Sequence, residues 1–446
     1  MMDYAEAVTI KSLEKQKEKY LSEKSNTILR HALSNTVISQ VVKSQDKISE
    51  VDFSFSNVVK TMGATNQKRS GRCWIFAATN VLREIIAKKL NLAEFELSQS
   101  FIAFYDKLEK INFELEAIID LLDAPHDDRT LNLVLNNTTG DGGQWDMFAN
   151  VVKKYGVVPK NVYPETFQSS NTGVMSKLVD VELRKFAAKA KKLSDAKGFK
   201  AVRAEKDRLY SKIVNLFYSC YGVPPTQFDF EYVDKDGVYH LEKDFTPKSF
   251  FDKYVGAEVD EFVSVINAPT EDKPFGKSFT IDYLGNVVGG KPVTHLNVKM
   301  DRMIKLILSQ LKDDQIVWFG SDVSYYGDRE VGAWDDKAFD YETAFELDFD
   351  ADKAEALDYG ISAMNHAMCI VGVNLVKGKP TKWKIENSWG TDVAKKGFYI
   401  MSDSWFKKYT YQAVVNKKYL TEEELAAYNA EPIHLKPWDP MGSLAD

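Results

Sequence analysis

The segment Thr65-Asn66-Gln67-Lys68-Arg69-Ser70-Gly71-Arg72-Cys73-Trp74 places a glutamine six residues before a cysteine and a tryptophan directly after it. Residues 74–90 carry apolar side chains on more than one helical face, which predicts a helix buried between other elements. Cys73 therefore opens a buried helix, where first-turn N–H groups and the helix dipole favour a thiolate. The positive side chains within five residues of this cysteine are Lys68, Arg69 and Arg72. Whether they point at the sulfur stays open.

A histidine and an asparagine follow downstream in settings typical of strands. His366 precedes the apolar run 369–373, and Asn387 lies in Trp383-Lys384-Ile385-Glu386-Asn387-Ser388-Trp389-Gly390. Acyl transfer by a thiol needs a thiolate, a base, a group that orients the base and donors for the oxyanion. Cys73 is the candidate for the thiolate.

The remaining cysteines and histidines have no such context. A cysteine in an apolar setting more often packs than reacts, so we expect packing roles for Cys220 and Cys369. Histidine also serves several structural purposes. The histidines that we interpret as structural are His31, His126, His240, His295 and His434.

The Gln-x5-Cys-Trp arrangement, with Gly71 two residues before the cysteine, resembles the nucleophile segment of papain-like cysteine peptidases. Asn387-Ser388-Trp389-Gly390 resembles the Asn-Ser-Trp-Gly segment of the same family. The resemblance implies that Cys73 is the nucleophile, His366 its base and Asn387 the orienter of that base. It also implies that the Gln67 amide and the Cys73 N–H hold the oxyanion, and that Trp389 covers the hydrogen bond between Asn387 and His366.

A glycine pair adds a candidate for substrate binding. Gly142-Gly143 resembles the pair that lines the cleft in papain-like enzymes, where missing side chains allow a peptide backbone to approach. Without that context, two adjacent glycines would predict only a turn.

One branch of the family fits best. His366 follows Cys73 by about 290 residues, whereas papain-like enzymes bring the histidine about 130 to 150 residues downstream. The longer interval implies an insertion between Cys73 and His366. The chain resembles the bleomycin hydrolases and bacterial aminopeptidases C in this insertion, in the sequences of residues 66–74 and 364–368, and in its last residues, 437–446.

That branch carries further implications. A C-terminal arm lies in the cleft, and the carboxylate of Asp446, or of Ala445 after trimming, receives the α-amino group of the substrate. A fixed carboxylate at one end of a cleft pairs with an ammonium and blocks longer N-terminal extensions, which makes an aminopeptidase. The resemblance also implies a homohexameric barrel with inward-facing sites, peptide substrates, and neither metal nor organic cofactor.

The coarse pattern predicts an α+β protein with the papain-like fold, because helices come first and strands later. We predict two charged helices over 174–221 broken near Gly198, a hairpin over 228–245, and no regular structure after Pro432. The expected domains are a wrapping segment (1–60), a helical subdomain (61–170), an inserted helical and hairpin region (171–290), a β-rich subdomain (291–420) and the C-terminal arm (421–446).

Composition narrows the setting of the protein. Of 446 residues, 44% are hydrophobic and 28% charged, which is typical of a soluble globular chain. Three cysteines are too few for a disulfide framework and favour a reducing compartment. The N-terminus does not resemble a signal peptide, and no apolar run reaches about 18 residues. We therefore expect a cytoplasmic protein without a membrane span.

Three alternatives stay open at this stage. An endopeptidase of the same fold would result if the arm fails to close the cleft, and a transferase or amidase could use the same triad. A nucleic-acid-binding protein is suggested by residues 184–208, which hold ten Lys or Arg against three acids. Solvated helix faces explain that segment more simply, because only Phe186 and Phe199 interleave the basic residues. The net charge of −7 also argues against nucleic-acid binding.

Overall fold

A computed structural model describes residues 6–49, 52–136 and 139–443. The chain divides into two compact units, one formed by residues 1–52 and 335–350, the other by residues 53–334 and 351–446. All described candidate residues lie in the larger unit. Leu444, Ala445 and Asp446 lie outside the described residues.

The secondary structure of the described residues is mixed. The α-helices are α1 (Ile10–Ser22), α2 (Lys24–Leu33), α3 (Ile38–Val41), α4 (Gln45–Ser49), α5 (Cys73–Leu90), α6 (Gln99–Asp120), α7 (Arg129–Asn136), α8 (Trp145–Tyr155), α9 (Gly173–Lys197), α10 (Phe199–Tyr221), α11 (Pro247–Tyr254), α12 (Met300–Lys312), α13 (Tyr341–Phe345), α14 (Lys353–Asp358), α15 (Asp403–Tyr409) and α16 (Glu422–Asn429). The strands are β1 (Asn57–Val58), β2 (Phe228–Val233), β3 (Tyr239–Phe245), β4 (Phe262–Ile266), β5 (Ser278–Ile281), β6 (His295–Asn297), β7 (Val317–Ser321), β8 (Gly327–Asp328), β9 (Ala333–Trp334), β10 (His366–Val376), β11 (Lys379–Glu386), β12 (Phe398–Ser402), β13 (Thr410–Asn416) and β14 (Ile433–Leu435). Within the described ranges, no helix is both long and apolar enough to cross a membrane.

The smaller unit consists of α1 to α4 together with α13. Its two chain segments are joined by backbone hydrogen bonds, in which Ser44 N–H donates to Ala338 O at 2.9 Å and Asp340 N–H donates to Val42 O at 2.8 Å. Long-range backbone pairing therefore holds together two segments that are far apart in sequence.

Three helices, α5, α6 and α8, form the layer that carries Cys73. The predicted burial of α5 is confirmed, because its side chains from Cys73 through Arg83 are all buried. Helix α6 was not predicted, and it buries charged side chains that are paired inside the protein. Lys110 contacts Asp106 at 2.8 Å, and Lys107 contacts Asp141 at 2.6 Å. Paired charges are the form in which ionised groups tolerate burial.

The insertion has the predicted elements. Helices α9 and α10 meet at Gly198, which has φ +77°, and β2 and β3 form an antiparallel hairpin. Helix α11 begins with a capping box, in which Thr246 Oγ accepts from Ser249 N–H at 3.1 Å. The sequence signals are local here, so the boundaries follow from them.

A mixed sheet forms the second half of the larger unit. Its strand order is β14-β5-β6-β4-β13-β7-β10-β11-β12-β9-β8, and β1 pairs with β10. The N-terminal end of β10 is held by β7, where His366 lies opposite Ser321. Strand β11 pairs with the other edge of β10 and ends directly before Asn387. The predicted α+β, papain-like fold class is confirmed.

One prediction about the chain after Pro432 is wrong. Residues Ile433–Leu435 form β14, which pairs in parallel with β5, and residues Pro440–Gly442 form a 3-10 turn. Pro432 and Pro437 lie on either side of β14, so the N–H groups of the strand itself are all available for pairing. The prolines delimit the strand and do not prevent it.

Two glycines provide a matched test of close packing. Gly156 and Gly198 each end a helix with positive φ and extended ψ, at +79° and −163° and at +77° and 170° respectively. A Cβ at Gly156 would lie 2.1 Å from the Pro247 carbonyl oxygen, whereas at Gly198 it would meet no described heavy atom within 4 Å. We expect Gly156→Ala to lower the free energy of unfolding by about 2 kcal/mol more than Gly198→Ala, because both share the backbone strain and only one clashes. Urea unfolding measures the difference, and equal losses would contradict it.

Candidate active site

Cys73 is the first residue of α5 and is fully buried. The helical ladder starts after it, since the N–H groups of Ile75 and Phe76 both donate to the Arg72 carbonyl at 3.0 Å. Across the boundary between helix and sheet, Ala367 N–H donates to Cys73 Sγ at 3.4 Å. The sulfur thus lies beside the helix N-terminus and against the residue that follows His366. Both surroundings favour negative charge on it.

His366 is oriented by an amide on the neighbouring strand. Its Nε2 lies 2.9 Å from Asn387 Oδ1, which also accepts from Ser388 N–H at 2.7 Å. An amide oxygen only accepts, so His366 Nε2 is the donor and its Nδ1 carries the lone pair. The Trp389 ring stacks on the imidazole with centroids 4.9 Å apart. The imidazole therefore has a fixed plane and a fixed tautomer, as a general base requires.

The environment of His366 favours its neutral form. Burial lowers the pKa of His366 to about 4, the Asn387 hydrogen bond opposes this change, and the Arg329 guanidinium adds to it. A negative sulfur nearby would reverse the effect, because an adjacent opposite charge favours the protonated ring. The imidazolium thus depends on a thiolate partner.

Gln67 is tied to the residue after Asn387. Its Oε1 accepts from Ser388 Oγ at 2.6 Å, and its backbone N–H donates to Ser388 O at 2.8 Å. One N–H of its side-chain amide donates to Ser70 O at 2.7 Å, which leaves the second N–H of that group for another acceptor. Ser388 was not singled out from the sequence, although it lies inside the quoted Asn-Ser-Trp-Gly segment.

The three cations near Cys73 do not share one environment. Arg72 is buried, and its guanidinium donates to both carboxylate oxygens of Glu165 at 3.2 and 3.0 Å. Lys68 and Arg69 instead line a cavity together with His366. Arg72 therefore serves an internal ion pair, which answers the question that the sequence left open for that residue.

The two glycines differ in their surroundings. Gly142 lines a cavity with Ser443, and its carbonyl accepts from Lys110 Nζ at 2.6 Å. A Cβ at Gly143 would lie 2.5 Å from the Trp74 ring, so that position packs against the start of α5. The structure gives Gly143 a packing reason for lacking a side chain, in addition to the predicted role in the cleft.

Asp141 fixes the loop in front of these glycines. Its carboxylate accepts from Gly71 N–H at 3.0 Å and pairs with Lys107. Although burial acts to raise it, the Lys107 ammonium holds the pKa of Asp141 well below its usual range. The Asp141 carbonyl also accepts from Trp74 Nε1 at 2.7 Å. A charged, buried carboxylate therefore links the approach to Cys73 with the glycine loop.

The C-terminal arm is docked along its described length. Asp439 forms a buried ion pair with Lys273 at 2.8 Å. The Arg129 guanidinium lies over Trp438, with its Cζ 3.8 Å from the centroid of the ring. Met441 is buried in a cluster with Ile266, Met364 and other apolar residues. Trp438 and Met441 therefore anchor the arm to the larger unit, whereas Leu444 lies outside the described residues.

The arm ends, as far as it is described, between the two halves of the site. Ser443 Oγ donates to Met364 O at 2.6 Å, and Gln144 Nε2 donates to Ser443 O at 3.0 Å. Met364 lies two residues before His366, and Gln144 directly follows the glycine pair. The predicted substrate-binding residues Ala445 and Asp446 would continue from this point. Sequence reasoning missed Gln144, because nothing local marks it as a contact of the arm.

Comparison with known proteins agrees with this geometry. The profile of the Peptidase C1-like family matches residues 7–442, so the chain belongs to that family of papain-like peptidases. Relatives include "Aminopeptidase C" of Lactobacillus delbrueckii subsp. lactis, 47% identical and covering 93% of each chain. "Aminopeptidase C" of Streptococcus thermophilus is 45% identical and covers 94% of each chain.

A solved structure is also similar over the whole chain. PepW from Lactobacillus rhamnosis HN001 is 42% identical, with a TM-score of 0.96 over 98% of this chain and 99% of the other. The resemblance to papain-like peptidases of the aminopeptidase C branch, inferred from residues 65–74, 364–368 and 387–390, is thereby confirmed.

The neutral state of His366 predicts a pH effect on stability. In a Cys73→Ala protein no thiolate can pair with the imidazole, whose pKa falls from 6.5 in the unfolded chain to about 4. Its contribution to stability is then present above pH 6.5 and lost as the pH falls towards 4. We expect this protein to lose about 3 kcal/mol more unfolding free energy over that range than Cys73→Ala/His366→Gln.

Urea unfolding at both pH values tests this prediction. His295, also buried and neutral, is present in both proteins and cancels. Parallel pH curves would contradict the prediction.

Proposed function

We propose that the protein is a cysteine aminopeptidase that removes N-terminal residues from peptides through an acyl-enzyme. The observation that carries this conclusion is the arm between Gln144 and Met364, which approaches the cleft from one side of Cys73 and His366. The names of the relatives at 45 to 47% identity support it.

The proposed chemistry assigns the predicted roles to the site. The Cys73 thiolate, paired with the His366 imidazolium, attacks the first peptide carbonyl. The Cys73 backbone N–H and the second N–H of Gln67 stabilise the oxyanion. His366 then protonates the leaving amine, and water activated by neutral His366 hydrolyses the thioester. Asn387 holds the tautomer that this cycle needs, and Trp389 covers their hydrogen bond.

The arm is proposed to supply the exopeptidase specificity. A carboxylate of the segment Ala445–Asp446 would receive the α-ammonium of the substrate, and Gly142 would leave room for its backbone. An ammonium that is paired there places the first peptide bond, and no later bond, at Cys73. The Cys73 thiolate would also attack other amides of α-amino acids, including bleomycin-type amides, releasing the amine and forming an acyl-enzyme that water hydrolyses. Peptide substrates follow from the peptidase family itself.

Blocked and unblocked peptides test this function. We expect the protein to release residues stepwise from peptides with a free α-amine and to leave N-acetylated copies intact, since acetylation removes the ammonium. Deleting residues 443–446 should shift cleavage towards internal bonds and admit the acetylated peptides. A mass-spectrometric time course measures both, with Cys73→Ala, expected to lose at least about 10³-fold activity, as the background control. Stepwise cleavage of acetylated peptides by the intact protein would refute the proposal.

The contacts of the basic segment 184–208 favour a structural role for it over nucleic-acid binding. Seven of its ten cations donate to acids or carbonyls of the protein. These contacts are Arg184 to Leu135 O, Lys185 to Glu182, Lys189 and Arg208 to Glu205, Lys191 to Asp123, and Arg203 and Lys206 to Glu116. Side chains committed in this way support α9 and α10 and offer little charge to a phosphate backbone.

We also propose a cytoplasmic setting. None of Cys73, Cys220 and Cys369 forms a disulfide, and burial raises the pKa of the Cys220 and Cys369 thiols, which makes them less reactive. A reducing compartment keeps the Cys73 thiol, on which the proposed chemistry depends, in its active form.

A homohexamer is the proposed assembly. Helix α9 exposes an apolar stripe of Val174, Leu178 and Val181, each more than half exposed at i, i+4 and i+7 spacing. A contiguous apolar face of this kind on the insertion fits a contact between copies of the chain.

Light scattering after size-exclusion chromatography tests the assembly. We expect a mass six times the chain mass of 50.6 kDa and expect Leu178→Glu to reduce it, because a charge at the centre of the stripe opposes burial. Lys197→Glu, at the far end of α9, is the control and should keep the wild-type mass. A monomer mass for the unmodified protein would exclude the hexamer.

A further inference from the structure

A second cavity lies next to His366 and is strongly cationic. It has a volume of about 680 Å³ and is lined on one side by residues 66–71 and on the other by side chains that include Arg329, His366 and Trp389. Three of its lining residues, Lys68, Arg69 and Arg329, are positively charged. No described residue that lines the cavity is an Asp or a Glu. We call it the cationic cavity.

These three cations differ from the others around the site. Arg72, Arg83, Lys107 and Lys110 each contact a carboxylate within 3.2 Å. The ammonium of Lys68 and the guanidinium groups of Arg69 and Arg329 form no ion pair or hydrogen bond with the described chain. Their charge is therefore available to a carboxylate that enters from outside.

Arg329 is held in place by a tight turn. It follows β8 and precedes β9, and Asp328 Oδ1 accepts from the N–H groups of Glu330 and Val331 at 2.9 and 3.0 Å. Its guanidinium lies 4.1 Å from the centroid of the Trp389 ring. That ring in turn stacks on His366, so the guanidinium belongs to the immediate surroundings of the base. Cation–π packing of this kind orients a guanidinium without satisfying its N–H donors.

The position of the cavity relates it to one part of the substrate. The arm approaches through Ser443, which lines a different cavity with Gly142, and no described residue of the arm lines the cationic cavity. In the proposed aminopeptidase the substrate α-amine points to the arm. The remainder of the peptide leaves after protonation by His366. It must then extend to the side of His366 that faces away from the arm.

We propose that the cationic cavity binds a carboxylate on the leaving part of the substrate, with Arg329 as its main specificity-determining residue. This inference rests on the proposed aminopeptidase function and adds a preference for the leaving group. The carboxylate has two possible sources, the C-terminal carboxylate of a dipeptide and the side chain of an acidic second residue. Both would form charge-assisted hydrogen bonds with the guanidinium, which binds carboxylates in a two-pronged geometry.

Four dipeptide derivatives in two matched pairs test the proposal. Ala-Ala and its C-terminal amide differ in the terminal carboxylate, and the C-terminal amides of Ala-Asp and Ala-Asn differ in the side-chain carboxylate. The quantity compared is the ratio of kcat/KM within each pair. We expect the wild-type protein to favour the acid by about 5- to 20-fold in at least one pair. The pair that shows it identifies the source.

Variants at one position separate charge from structure. Arg329→Gln should bring the ratio close to one, while Arg329→Lys should keep most of the preference and thereby show that the turn still folds. Lys379→Gln, at the far end of β11 and about 25 Å from Asn387 along the strand, should leave both ratios unchanged. Raising the salt concentration should reduce the preference in the wild-type protein.

The outcomes distinguish this inference from the function it rests on. Ratios near one in the wild-type protein, or a preference that survives in Arg329→Gln, would overturn the carboxylate site while aminopeptidase activity stands. Equal cleavage of acetylated and free peptides would instead overturn the proposed function, and the inference with it.

Discussion

Ala367 N–H donates to Cys73 Sγ across the boundary between α5 and β10 at 3.4 Å, and this contact sets the relation between the two halves of the larger unit. The helix and the sheet come from parts of the sequence that are far apart. Trp318 Nε1 strengthens the same boundary by donating to Trp74 O at 3.2 Å, and the Cys369 thiol donates to Ala77 O at 3.2 Å. Because these contacts are buried and polar, a displaced helix would leave several groups unsatisfied, which keeps the sulfur in register with the base.

The residues to which we assign chemistry and those to which we assign specificity lie in separate parts of the fold. His366 and Asn387 lie at the ends of paired strands in the sheet, whereas the arm is held by its own contacts, such as the buried pair of Asp439 with Lys273. The arm contacts Met364 but is not needed to hold the imidazole in its plane. In the proposed function, the position of cleavage along a peptide would therefore be determined independently of the groups that break the bond.

Signals that are local in sequence were predictable, and those that depend on folding were not. The segments around Cys73 and Asn387 carry short motifs, and the break at Gly198 needs only a glycine between two amphipathic runs. Helix α6 escaped prediction because four of its charged residues, Asp106, Lys107, Glu109 and Lys110, are buried, so its charges do not mark a solvent-facing side. Arg329 contacts Trp389 from a turn that is distant in sequence, and no local sequence signal predicts this contact.

Strand β14 has a consequence for behaviour at high concentration. It is the last strand at one side of the sheet, and it covers β5, whose backbone would otherwise offer unpaired N–H and C=O groups to another molecule. Its own three residues lie between Pro432 and Pro437, so a further strand would find few partners there. The segment that leads into the cleft thus also ends the sheet in a way that resists edge-to-edge aggregation.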